Sequence, residues 1–496
     1  MMLAPAALIW GAVLLTRGGL LAGCLAVLLA GTCFGHPFFH VSVGPLPITV
    51  DRVLWALLIG QYVVWRWLGL AQPKPLGKAE IVLLALVAVL GVSTLTHDWR
   101  ARNSQPLARL LFDYVMPLGL YWVARQARIT RGGVLATFAL LAAFGLYLAL
   151  TAVAETRDLR GLVFPQYISS PTFAEFYGRA RGPLLNPAGN GILLGLGLAA
   201  TLLWWPRLNR GGWLAVVVVS TAIGVGVYCT LTRSAWMGAI LGLLIVVGLA
   251  VPLRWRAFLF AGTLLAALAV VATQWERLVS FKRDRALAAQ ETAESARLRP
   301  ILAAVAWQMF CDRPLLGCGF GQYPERSIEY LADRSIDLPL EKARTFVQHN
   351  VLLALLTETG LVGMGLFAGL LGIWLRDAWR LWRSPEAPLW ARQQGLLFLA
   401  LAGNYLAGGM FQDVSMIPMI HMWLFFVAGL TNGLYAVCYP REPRMGMARK
   451  DPGPGEPTAF RMGTAGSSWT SMAGSQPQTS GGPRTSEVSK TPEASG

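Results

Sequence analysis

The run 132–154, GGVLATFALLAAFGLYLALTAVA, is uncharged from end to end and is bounded by Arg131 and Glu155. At about 1.5 Å of rise per residue it is long enough to carry a helix across the roughly 30 Å hydrocarbon core of a bilayer. Further runs of this kind lie near 19–35, 53–70, 79–96, 107–124, 189–205, 212–230, 234–252, 257–273, 350–375, 393–410 and 415–438. Together they predict an all-α fold, a polytopic integral membrane bundle of about 12 transmembrane helices, because a span in lipid must satisfy its own backbone hydrogen bonds. With 55% hydrophobic and 14% charged residues, the chain is too apolar for an ordinary soluble domain. No internal repeat and no strand-rich region interrupts this pattern.

Leu3–Thr16 is a shorter apolar stretch, cut from the next run by Arg17, Gly18 and Gly19, and reads as half-inserted or interfacial. Leu21-Ala22-Gly23-Cys24 imitates a lipoprotein cleavage box, but Arg17 interrupts the apolar stretch that such a signal needs. The basic loops 74–78, 125–131, 207–210, 254–256 and 376–392 fall on one side of a twelve-span topology, which makes that side the cytoplasm. The net charge of +16 is therefore assigned to membrane lipids and phosphate, not to nucleic acid. The organisation expected is a transmembrane domain over 1–438, with a large helical periplasmic loop at 274–349 before the last three helices. Residues 439–496 turn rich in Pro, Gly, Ser and Thr and read as a disordered cytoplasmic tail. Cys311 and Cys318 share the large loop and could pair, although two free thiols is the simpler expectation.

The face opposite the basic loops carries arginines against the positive-inside bias: Arg52, Arg100, Arg102, Arg157, Arg160, Arg179, Arg181, Arg233, Arg297 and Arg299. Two readings stand: a bound anion, or guanidinium groups snorkelling to lipid headgroups. Arg233 sits in Thr232-Arg233-Ser234, where two spans meet with almost no loop, so its charge lies at the membrane boundary, where arginine is costly and faces a polar interior. Arg181 and Gly182 precede Asn186-Pro187 and Asn190, a turn that also fits plain helix capping. His349-Asn350 stands at the N-terminus of a span, where the helix dipole keeps an imidazole neutral and suited to general-base work. Glu358 lies about 180° around the same helix and about 13 Å deeper, as a functional carboxylate or a partner in an interhelical bond. Gly317-Cys318-Gly319-Phe320-Gly321 is either an anion-binding backbone nest or a flexible turn, and it lacks the flanking strand and helix of a nucleotide site.

Taken in order, Arg181-Gly182 with Asn186-Pro187, Thr232-Arg233-Ser234 with Gly238, Arg313 through Gly321, and His349-Asn350 with Leu353, Leu356, Glu358, Gly360 and Gly363 resemble the O-antigen ligase and polymerase superfamily. That resemblance implies a bacterial inner-membrane glycosyltransferase, without metal, nucleotide or other cofactor. It would move a glycan from undecaprenyl pyrophosphate to a lipid or glycan acceptor hydroxyl, with its active site facing the periplasm. It also implies His349 as the base that deprotonates the acceptor. Arg233 and a loop arginine would hold the donor pyrophosphate, that arginine being Arg299, just before Pro300 at the start of a lid helix, or Arg297. Arg181 would be a further substrate contact, with Gly319 and Gly321 in the turn beside them.

Ligase and polymerase share these motifs. A secondary transporter or lipid flippase would also show about twelve spans and intramembrane charge, but it should carry two similar halves, which this chain does not. A structural scaffold for envelope assembly would tolerate loss of His349.

Overall fold

The computed structural model describes residues 19–43, 46–101, 104–173, 175–250, 261, 289–332, 338–344 and 347–439, and for 42, 43, 46 and 289–297 the backbone alone. The described residues belong to one compact unit, Met1–Arg441. The expected run at 257–273, apart from residue 261, the opening stretch at 3–16, Arg102 and the tail after Tyr439 lie outside the described residues.

Helices stand at the other expected runs. In the first part of the chain these are α1 (Leu20–Phe34), α2 (Val50–Trp67), α3 (Lys78–Leu95), α4 (Pro106–Gln126), α5 (Arg131–Thr156), α6 (Pro187–Leu202), α7 (Arg210–Cys229) and α8 (Arg233–Ala250). The lid helix α9 (Ala289–Asp312) follows, and then α10 (Val351–Arg383), α11 (Leu389–Gly409) and α12 (Pro418–Cys438). Eight of them, α3 to α8 with α10 and α12, are long and apolar enough to cross a membrane. Of the rest, α1 is shorter, α2 carries Asp51, Arg52 and Arg66, and α11 carries Arg392, Gln393, Gln394 and Asn404. A small antiparallel hairpin, Val41–Val43 with Leu46–Ile48, joins α1 to α2.

Helices α6 and α12 are buried on nearly every side, and the others pack around them: α5 and α8 on α6, α4 on α12, and α10 against α3 and α11. In hydrocarbon no hydrophobic drive pulls helices together, so close backbone contact through small residues has to do it. A side chain added at Gly197 of α6 would meet the Cα of Gly145 in α5 at 2.7 Å, and one at Gly191 would meet Ala235 Cβ in α8 at 2.3 Å.

One span departs from the regular helix that its apolar run predicts. Helix α10 breaks at Gly360, where φ is 62° and ψ is −161°, a conformation open to glycine and strained for any other residue. The turn after the lid helix fills the break. Leu361 N–H donates to Pro314 O at 2.8 Å and Val362 N–H to Leu315 O at 3.2 Å, while Cys318 and Gly319 N–H donate to Thr357 O and Glu358 O at 2.9 and 3.0 Å. Pro300, expected at the start of the lid helix, instead lies inside it.

A Cβ at Gly360 would lie 2.4 Å from the carbonyl of Leu315, whereas Gly365 in the same helix has open space around it. Gly360→Ala is expected to cost about 3 kcal/mol from left-handed strain and overpacking together. Gly365→Ala should leave stability unchanged or slightly raised. Thermal unfolding of the detergent-solubilised chain, followed by tryptophan fluorescence, separates the two.

Candidate active site

The site is built where the lid helix, the N-terminus of α10 and the loop between α11 and α12 meet. Asn350 caps α10, its Oδ1 accepting from Leu352 and Leu353 N–H at 2.9 and 3.0 Å, and its Nδ2 donates to Met410 O at 3.1 Å. The residue before the cap, His349, takes a left-handed φ of 51°, which turns the chain sharply into the helix and leaves the imidazole half-buried at the helix end. Burial, and then the guanidinium of Arg299, push this imidazole below its ordinary range. This shift favours the neutral ring at pH 7, the form that a general base requires.

Arg299 lies on the lid helix with its guanidinium 5.5 Å from the ring centroid of Phe411, the residue after Met410. Its side chain is exposed, and the desolvation it does undergo, followed by the charge of Arg233, pushes it down. Arg233 is the first residue of α8 and is half-buried. The fold thus brings Arg299 within electrostatic reach of both His349 and Arg233, residues far apart in the chain. Two guanidinium groups that oppose each other's charge form a place where an anion lowers the energy.

The other expected site residues have different surroundings. Arg297 lies in α9, but its side chain is outside the described residues. Arg181 is fully buried. Its Nη2 donates to Ile168 O at 2.8 Å and Ser170 O at 3.1 Å, its Nη1 to Glu175 O at 2.8 Å and to Phe173 O, and its Nε lies 3.5 Å from Glu155 Oε1. Glu155 also accepts from the Arg181 and Gly182 N–H groups at 3.3 and 3.1 Å. This is a knot that shapes the loop between α5 and α6, with the arginine turned inward onto protein carbonyls.

The Gly-rich turn is likewise turned inward. Cys318 and Gly319 N–H are spent on α10, and Phe320 N–H donates to Ser93 Oγ at 2.9 Å, so these groups do not form an open nest. Gly319, with φ of 107°, lies against His97, and Gly321 lies against Pro106. Cys311 is exposed, Cys318 is buried, and both are free thiols.

Several outer arginines serve their neighbours: Arg52 lies over the Phe112 ring at 3.4 Å, Arg100 over Trp99 at 4.3 Å and Arg179 over Phe176 at 5.3 Å. Among the described residues no three His, Cys, Asp or Glu side chains converge as a metal site.

Sequence reasoning did not single out Phe411 or Gln348. Gln348 is buried next to His349, and its amide nitrogen has no hydrogen-bond partner among the described residues. Neither sits in a motif, and only the place of Phe411 under Arg299 and the burial of Gln348 reveal them.

Residues 218–368 match the family model described as O-antigen ligase. The chain carries an O-antigen ligase domain. No curated protein matches the chain. The O-antigen ligase domain contains Arg233, Arg299 and His349, while Arg181 lies outside it. With the helices long and apolar enough to cross a membrane, the match supports a multi-pass membrane glycosyltransferase of the O-antigen ligase or polymerase type.

Arg181→Ala leaves the buried Glu155 carboxylate and several carbonyls without their cation. It is expected to lower stability by about 3 to 5 kcal/mol. The loss in Arg181→Ala combined with Glu155→Gln should be smaller than the sum of the single losses, as read by thermal unfolding.

Proposed function

We propose that this chain transfers a finished glycan from undecaprenyl pyrophosphate to the hydroxyl of a lipid or other surface acceptor at the periplasmic face of a bacterial inner membrane. In this reading it spans the membrane about twelve times, and its tail is cytoplasmic. The observation that carries the reading is that Arg299 stands within electrostatic reach of both Arg233 and the helix-end His349, all three inside the matched segment.

The chemistry follows from the charges. His349 accepts the proton of the acceptor hydroxyl as its oxygen bonds to the anomeric carbon, while the bond from that carbon to the pyrophosphate oxygen breaks. The electron pair leaves with the pyrophosphate, and the growing negative charge is met by the guanidinium groups of Arg233 and Arg299. Attack and departure on opposite sides of the carbon invert the anomeric centre. The residues themselves supply the base and the positive charge, so this scheme calls on no metal ion.

Transfer in membranes supplied with lipid-pyrophosphate-linked glycan should fall by about 10²- to 10⁴-fold in His349→Ala, the range that general-base catalysis supplies. A comparable loss in Arg233→Ala is expected at matched expression. Undiminished transfer in both variants overturns the assignment. A single band of product marks a ligase, and a ladder of repeat units marks a polymerase.

The pH profile gives a second check. Because His349 is held below its ordinary range, near 6.5 in the absence of perturbation, the acid limb of the rate should lie lower still. Arg299→Gln removes one cause of that depression, so the limb moves to higher pH in the residual activity. Arg299→Lys keeps the charge and leaves the limb in place.

A further inference from the structure

Below the site, toward the interior of the bundle, lies a buried ionic hub that the glycosyl-transfer chemistry does not use. Arg109, on the first turn of α4, donates from Nη1 to Glu358 Oε1 at 3.1 Å and places Nε 4.0 Å from Asp113 Oδ2. Its guanidinium lies 5.0 Å from the ring centroid of Phe320 in the Gly-rich turn. Its charge also acts on Asp413, in the loop that carries Met410 and Phe411. Burial pushes the Asp413 carboxyl up, and Arg109, with the Ser415 hydroxyl and N–H, draws it back. The segment after Arg109 is a π-turn, Leu110–Val115, whose Asp113 carbonyl accepts from Nδ1 of His421 at 2.8 Å. Local π geometry of this kind recurs at functional sites.

One cation therefore reaches the half-helix that bears His349, the turn that follows the lid helix and the loop that carries Phe411. Glu358 sits in the last turn of the half-helix before Gly360, and the other end of that half-helix bears Asn350 and His349. Phe320 sits in the turn that ties the Arg299 helix to the break. Asp413 sits in the loop whose Phe411 lies under Arg299. A helix interrupted by glycine cannot pass rigidity along a continuous ladder, so the direction of its first half must come from side contacts.

We propose that Arg109 and Glu358 are positioning residues for the transfer reaction: their buried ion pair fixes the half-helix that presents His349 to the two arginines. This deepens the reading above, since it takes His349 as the base. Arg109, Asp113 and Asp413 all lie outside the matched domain, and the pair joins that domain to the rest of the bundle.

The test uses the full chain in lipid nanodiscs with two mild variants, Glu358→Gln, which keeps a hydrogen-bond acceptor, and Arg109→Lys, which keeps the charge. Diethyl pyrocarbonate attacks neutral imidazole, and peptide mass spectrometry reads its rate at His349 against pH, with His36 and His40 as internal references. In at least one variant that elutes as a monodisperse species, the His349 rate should change about threefold or more, or its pH midpoint should shift, while His36 and His40 stay as in the parent. In the transfer assay the same variant should lose on the order of 10- to 100-fold in kcat, the cost of a displacement near 1 Å, with donor KM within about twofold. The double variant Arg109→Gln with Glu358→Gln, which removes both charges, should recover part of the loss seen in Arg109→Gln alone.

A parental His349 profile in both mild variants overturns the proposal, whatever their transfer rates. If the parent transfers nothing, the glycosyl-transfer reading fails, and the His349 profile still decides whether the pair positions this residue.

Discussion

Gly360 interrupts α10 about 13 Å along the helix from its start, a depth at which lipid offers no hydrogen-bond partners for a broken ladder. Two N–H groups past the break, on Leu361 and Val362, and two carbonyls before it, on Thr357 and Glu358, would be left without partners. The turn from Pro314 to Gly319 meets all four of them, and in doing so it is stitched into the helix. The close approach is mutual: a side chain at Gly317 would strike the backbone at Glu358 and Thr359, and one at Gly360 would strike Leu315. The lid helix and the half-helix ending at His349 are therefore bound as one piece.

The arrangement of charge follows from that union. Arginines along this end of the bundle have several fates: Arg181 is consumed by carbonyls and Glu155, and Arg52, Arg100 and Arg179 lie over aromatic rings. Arg299 is brought near Arg233 and near His349 because the lid helix is tethered to α10 and α8 runs beside α11. The 410–417 loop completes the contact, since Asn350 holds Met410 and Phe411 lies under Arg299. Deeper in the bundle, Arg109 pairs with Glu358, stands 4.0 Å from Asp113 and draws back the shift of Asp413.

Most of the helices were legible in the chain, because an apolar run of sufficient length has few other stable conformations in lipid. Helices such as α5 and α12 coincide with their runs to within a few residues, and Asn186 and Asn350 do cap the helices they precede. The motifs were legible as well, and Arg233, Arg299 and His349 lie within the segment that matches the O-antigen ligase family.

Tertiary structure alone decided what the motif residues touch. Arg181 and Gly319 are spent on internal contacts, because Glu155 and the broken helix are brought against them from distant parts of the chain. Pro300 sits inside a helix, and the Glu358 carboxylate finds its cation on α4. By itself the sequence determined where the chain can cross a bilayer, since burial of an apolar run depends on its own composition and length. Which charges meet, and so which of them can act on a substrate, depends on separations across the folded bundle that no local pattern contains.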